Sequence, residues 1–218
     1  MVVKKTERGA VISKSDFEAA ASKAYGLLDN LPNELSFHCR DHTEQIVVPG
    51  SLEIARLENL TPENCWLVGI AALFHDTGFT KQYIGNEPIG AKLAEEYMRT
   101  AELAYTEAQI QAVTEAILNT NMKNNPPSQL AEVLRDADLS AIGRQDFLTW
   151  QNRLRAEVLV HPESPMFENA KRDKVWGKFQ LNFLVSHRWF TKSAVSLFEE
   201  QKKKNIGIIR SRYFASSI

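Results

Sequence analysis

An all-α, single-domain helical bundle is the fold this sequence predicts, and three observations predict it. Apolar residues recur three and four apart in segment after segment, as the buried stripe of a helix requires. No stretch alternates with the period of two that a half-buried strand needs. Capping and breaking residues stand where most of those apolar stripes begin and end. At 218 residues, 44% of them hydrophobic, the chain is long enough for one well-buried domain and short for two. The expected organisation is an N-terminal helix within residues 1–34, a core over 35–150 and a C-terminal helical extension of the same domain over 151–218.

In chain order, Ser15-Asp16-Phe17-Glu18 has the pattern of a capping box and is followed by Phe17, Ala20, Ala24 and Leu27 at helical spacing, so a first helix is expected to about Leu28. Leu31-Pro32-Asn33 breaks it. Leu35, His38, His42 and Ile46 then share one face, because residues four apart stack on a helix. Pro49-Gly50 is expected to kink or interrupt this helix before Leu52, Ile54, Ala55 and Leu57 resume. Thr61-Pro62 supplies an N-cap and a first-turn proline for the apolar run that ends in His75-Asp76, with Gly78 placed to close the helix.

A polar loop from Phe79 to Pro88 precedes a helix with Ile89, Leu93, Ala94, Tyr97 and Met98 on its inner side. Thr106 and Gln109 form a second capping box, opening a helix with Ile110, Val113, Ile117 and Leu118 inward. After a breaker cluster at Asn119 to Pro127, Ser128 caps a helix from Gln129 to about Ile142, stopped near Gly143. Phe147 to Val160 reads as helix, His161 to Pro165 as a turn, and Phe179 to about Lys203 as one long amphipathic helix with Phe183, Phe190 and Ala194 on its apolar side. His161 reads as a surface residue, His187 as a packing histidine and Lys202-Lys203-Lys204 as a solvated helix end.

Lys and Arg total 26 against 27 Asp and Glu, so no overall charge points to nucleic acid or an anionic membrane as partner. Function must come from a local site. Cys39 and Cys65 form neither a CxxC pair nor a finger spacing, which disfavours a disulfide framework and a structural zinc site. The charged N-terminal stretch has no apolar segment after it, and the longest apolar run, around 65–74, is far short of a membrane span. A soluble, unprocessed, cytoplasmic protein is expected.

The apolar run Leu67 to Phe74 ending in His75-Asp76 is an unusual place for charge, since a desolvated carboxylate costs several kcal/mol unless it is paired or bound to a metal. A second carboxylate shares the predicament. In the helix from Gln129, Leu130, Leu134 and Ala141 put Asp138 on the buried side, while Asp136 falls with Glu132 and Ser140 on a polar one. His42, His75, Asp76 and Asp138 therefore come from separate helices, each at an inward or helix-end position. Imidazole and carboxylate together suit Mn, Fe, Co, Ni or Zn.

The ordered set His42, Leu73-Phe74-His75-Asp76-Thr77-Gly78 and Arg135-Asp136-Ala137-Asp138-Leu139 resembles the HD superfamily of metal-dependent phosphohydrolases over about residues 35–150. Phe37-His38-Cys39-Arg40-Asp41-His42-Thr43 is similar to the branch whose first motif is Tyr-His-x-x-x-His-Thr, and the segment Phe183 to Ala194 to the closing helix of bacterial proteins in the group. The resemblance implies His42, His75, Asp76 and Asp138 as ligands of one divalent metal ion, Mg included among the candidates. It implies His38 as the acid or the phosphate contact. The expected catalytic residues are His38, Asp76 and Lys81, and the expected substrate-binding residues His38, Lys81, Glu87 and Arg144. Lys81 and Arg144 would act as positive charges toward phosphate, or else be solvated loop cations; Glu87 would orient a ligand histidine or a water, or else be a loop acid.

Many relatives carry Asn-His-Glu after the HD pair, whereas this chain has Gly85-Asn86-Glu87 and no histidine between His75 and Asp138. Branches with two or three metals, oxygenases among them, match poorly. The implied function is hydrolysis of a phosphomonoester, phosphodiester or pyrophosphate in a small molecule, a nucleotide by expectation. The alternatives are a nucleotide-binding regulatory module with little turnover and an HD-type iron oxygenase. The oligomeric state is open, a homodimer included.

Overall fold

The computed structural model describes residues 11–214, among which every regular element is helical. The helices are α1 (Lys14–Leu28), α2 (Arg40–His42), α3 (Val48–Leu57), α4 (Pro62–Phe74), α5 (Glu87–Thr100), α6 (Glu107–Leu118), α7 (Gln129–Asp138), α8 (Phe147–Val160), α9 (Phe167–Ala170), α10 (Asp173–Ser186) and α11 (Lys192–Phe214). A π turn (Thr43–Val47) joins α2 to α3, and 3-10 turns follow α4 (Thr77–Thr80) and α7 (Leu139–Gly143). None of the helices described is long and apolar enough to cross a membrane. The charged stretch at residues 1–10 lies outside the described residues.

In α4, every residue from Leu67 to Phe74 is buried. A helix apolar on all sides has to be surrounded, and α1, α3, α5, α6 and α7 all pack against it. The far wall of the bundle is built by α8, α10 and α11, with α11 lying on α10 and on the 3-10 turn after α7. A small second cluster of Val158, Ala170 and Trp176 ties α8, α9 and α10 together.

Several expected boundaries moved. The first cap is Ser13, not Ser15: Asp16 accepts from the Ser13 N–H at 2.8 Å and its own N–H reaches Ser13 Oγ at 3.3 Å. The box at Thr106 and Gln109 forms as read. Residues 35–39 are not helical, so His38 precedes the helix that carries His42 rather than sitting one turn below it. Pro49 lies in the first turn of α3, where its missing N–H costs nothing, and the π turn just before it takes up the irregularity.

Gly78 does not close α4, which ends at Phe74. A Cβ there would stand 1.9 Å from the carbonyl oxygen of Asn86, and one on Gly90 2.9 Å from those of Phe74 and His75. Both glycines permit close approach of α5 to the His75-Asp76 turn.

The long helix expected from Phe179 is broken at His187 to Thr191. Asp136 meets the chain where it resumes as α11. Far from facing solvent with Glu132, it is completely buried and accepts from the N–H groups of Phe190 (3.0 Å) and Thr191 (2.8 Å) and from the Thr191 hydroxyl (2.8 Å). The Thr191 N–H is an orphan group at the start of α11, satisfied here by a carboxylate on another helix. Phe190 is turned outward and exposed, and Lys202 is buried, its ammonium bonded to Glu199 (2.7 Å) and to the carbonyl of His187 (3.0 Å) over the Trp189 ring.

Replacing Asp136 by Ala is expected to lower unfolding free energy by about 2–3 kcal/mol in denaturant titrations, because two buried N–H groups lose their acceptor. A loss below about 0.5 kcal/mol would contradict the capping role.

Candidate metal centre

Three helix ends converge on one point. His42 is the last residue of α2, His75 the C-cap of α4 and Asp138 the last residue of α7. One ring nitrogen of each histidine and one Asp138 oxygen all lie within 4.8 Å of one another. Oδ1 of Asp138 stands 3.2 Å from Nε2 of His42 and 3.5 Å from Nε2 of His75. Asp76 is 3.1 Å from His75 Nε2 yet falls outside the mutual reach of the other three. The structure thus brings three of the four expected ligands into one sphere and leaves Asp76 at its edge.

The state of His75 is set by its backbone. Its Nδ1 lies 2.7 Å from the carbonyl oxygen of Ala72, an acceptor only, so Nδ1 carries a hydrogen. In the neutral ring Nε2 then presents a bare lone pair to two carboxylate oxygens, and neither contact has hydrogen-bond alignment. Oδ2 of Asp76 is likewise buried without a hydrogen-bond partner. Lone pairs facing one another in a buried site repel unless a cation lies between them. Asp138 ends a helix and Asp76 follows the end of another, where the helix dipole also disfavours a carboxylate.

A proton is one such cation. Burial opposes a charge on His75, but Asp76 and Asp138 outweigh it and hold its pKa well above the ordinary 6.5. Burial likewise works against the charged forms of Asp76 and Asp138, and the histidines outweigh it, keeping both carboxyls below the usual range. A divalent metal ion is the other. The donor set of two imidazoles and carboxylate oxygen, with the second nitrogen of His75 held by a backbone carbonyl, has the composition and outer support of such a site.

His38 stands beside this centre, stacked on Phe79 with ring centroids 4.4 Å apart. Its Nδ1 is 2.5 Å from Oε1 of Glu157, a completely buried carboxylate that also accepts from the N–H groups of Phe37 (2.8 Å) and His38 (3.0 Å) and from the Tyr83 hydroxyl (3.2 Å). Desolvation pulls the His38 pKa down, but Glu157 overrides it and the net shift is upward. The sequence reading missed Glu157 and Tyr83. A signal existed for the first: Glu157 comes seven residues after Trp150 and three after Leu154, an acid on an apolar face.

His38, Asp76, Glu87 and Asp138 line a cavity of about 490 Å³, a size that suits a small molecule. Glu87 keeps one buried oxygen without a partner there. Lys81 is exposed and is not part of the wall. Arg144 is not brought to the cavity either: it forks onto Asp146 at 2.8 and 2.9 Å on another part of the surface. Arg135 of α7 donates to the carbonyls of Asn119 and Asn121 and pins that loop to its helix.

Comparison with protein-family models, curated proteins and solved structures returns no match. What the centre can do therefore rests on its own residues.

Asp138→Ala is expected to abolish stoichiometric metal binding, measured by elemental analysis, while far-ultraviolet circular dichroism stays helical. Retention of the metal would displace Asp138 from the centre.

A second expectation concerns pH. A raised folded-state pKa of His75 contributes stability that is complete below 6.5 and is lost as pH rises through the folded value. Metal-free protein should accordingly melt at falling temperature as pH is taken from 6.5 upward. With saturating metal that decline should flatten, because the cation then does what the proton did. Parallel slopes with and without metal would argue against a shared site.

Proposed function

We propose that this chain is a metal-dependent phosphohydrolase of the HD type, acting on a small phosphorylated molecule. The observation that carries the proposal is the unpartnered Nε2 of His75 beside the carboxylates of Asp76 and Asp138, which line a cavity together with His38. His42, His75 and Asp138 would hold the ion, with Asp76 able to join from the edge. Once bound, a divalent ion would supply a Lewis acid for a phosphoryl oxygen and a water of lowered pKa.

The rest falls to the chain. Water attacks phosphorus, the bond to the leaving oxygen breaks, and that oxygen needs a proton. His38 is suited to give it: Nδ1 is engaged by Glu157, the ring lines the cavity, and the carboxylate raises its pKa against burial so that the acid form persists closer to neutral pH. Glu157 acts through His38, as a positioning residue, and Tyr83 steadies Glu157 from the loop after the metal turn. Free, half-buried Cys39 and Cys65 suit a reducing compartment, and the cytoplasm is the proposed location.

His38→Ala should lose at least a hundredfold in turnover on a panel of phosphate esters with metal content unchanged. In Glu157→Gln the base-side limb of the kcat/KM profile should move to lower pH, since the group that raises the His38 pKa is gone. A limb that stays in place would separate Glu157 from the acid. Metal-loaded protein inert toward every ester tried would favour the regulatory-module reading.

A further inference from the structure

The expected cationic contacts to phosphate, Lys81 and Arg144, stand outside the cavity, and among the described residues no lysine or arginine lines it. Its charged wall residues besides His38 are the carboxylates Asp76, Glu87 and Asp138. One divalent ion can offset a single phosphoryl group together with those ligands, but among the described residues no further cation along the wall would meet a second or third phosphate. An anionic chain extending into the cavity would be desolvated against apolar surface and repelled by Glu87.

The wall contributed by α8 to α10 is of a different kind. Leu154, Met166, Phe179, Phe183 and Leu184 face the cavity together with Ile142 from the turn after α7. The polar groups among them are Gln151 and Gln180, which are bonded to each other at 2.5 Å rather than held out for an ion. Gln180 keeps a buried amide oxygen without a partner. Such a surface gains by covering hydrocarbon and loses by covering charge.

We propose that the substrate is a phosphate ester whose leaving group is uncharged and apolar, an alkyl or aryl alcohol housed against Leu154, Phe179, Phe183 and Leu184, and that nucleoside di- and triphosphates are excluded. The inference rests on the phosphohydrolase reading for the phosphoryl end alone. The apolar wall selects what is attached to it.

The test is calorimetric binding of n-alkylphosphonates, ethyl to octyl, to the zinc-loaded full chain, with carboxylate-tipped phosphonates of equal length beside them. These probes are not hydrolysed, so the readout does not depend on turnover. Affinity should rise about two- to fourfold per methylene until the cavity is filled, and the carboxylate-tipped probes should bind at least tenfold more weakly than their alkyl counterparts. Leu154→Arg should narrow that gap to near unity by placing a cation in the wall. Affinity independent of chain length, equal binding of the carboxylate-tipped probes, or no binding at any length overturns the inference. Chain-length dependence without hydrolysis of any ester supports the apolar site and sinks only the phosphohydrolase reading. Hydrolysis of nucleoside triphosphates with flat phosphonate affinities does the reverse.

Discussion

A nitrogen buried against two carboxylate oxygens is the constraint from which the rest of this molecule follows. His75 cannot turn away, because its other nitrogen is engaged by the carbonyl of Ala72, and it cannot reach water, because α4 is buried to its end. Asp138 meets it from α7 and His42 from the start of the π turn. Each group would be expensive to bury alone, by several kcal/mol for a carboxylate. Together they are tolerable around a shared cation, a proton or a metal ion, and the packing that builds the core also makes a cluster that could hold the latter.

The steric means are simple. The turn after α4 is pressed against α5 so closely that Gly78 and Gly90 have no room for a Cβ, and the Thr77 hydroxyl closes onto the Phe74 carbonyl at 2.7 Å. The turn cannot drift without opening that contact, so His75 and Asp76 inherit the rigidity of the central helix. Precise placement of ligands by rigid elements is what metal affinity and selectivity require.

The C-terminal third does more than extend the bundle. It supplies Glu157, which raises the pKa of His38 against burial, and most of the apolar wall of the cavity. Its own course is tied to the core: Asp136, two residues before the candidate ligand Asp138, accepts from the backbone where the chain resumes as α11. One short motif thus carries a carboxylate for the candidate metal centre and another for the architecture around it. Arg135 beside them fastens the loop after α6.

By itself the sequence determined the helical class, the buried run Leu67 to Phe74 and the convergence of His42, His75 and Asp138, because periodicity and the cost of buried charge act locally and leave a pattern in the residues. It also told Asp138 from Asp136 as the one that joins the histidines, although for only half of the right reason. Helical register said which side Asp136 faced, but whether that side met water depended on α11, which arrives from more than fifty residues away. The same limit hid Glu157, whose partners Phe37, His38 and Tyr83 lie more than seventy residues earlier in the chain. It also made Lys81 and Arg144 look available to a phosphate that their loops do not approach. Only the tertiary structure decides these points, since a side chain's hydrogen-bond partners and its exposure are set by which distant elements pack beside it, and a chain pattern of period 3.6 carries no record of that neighbour.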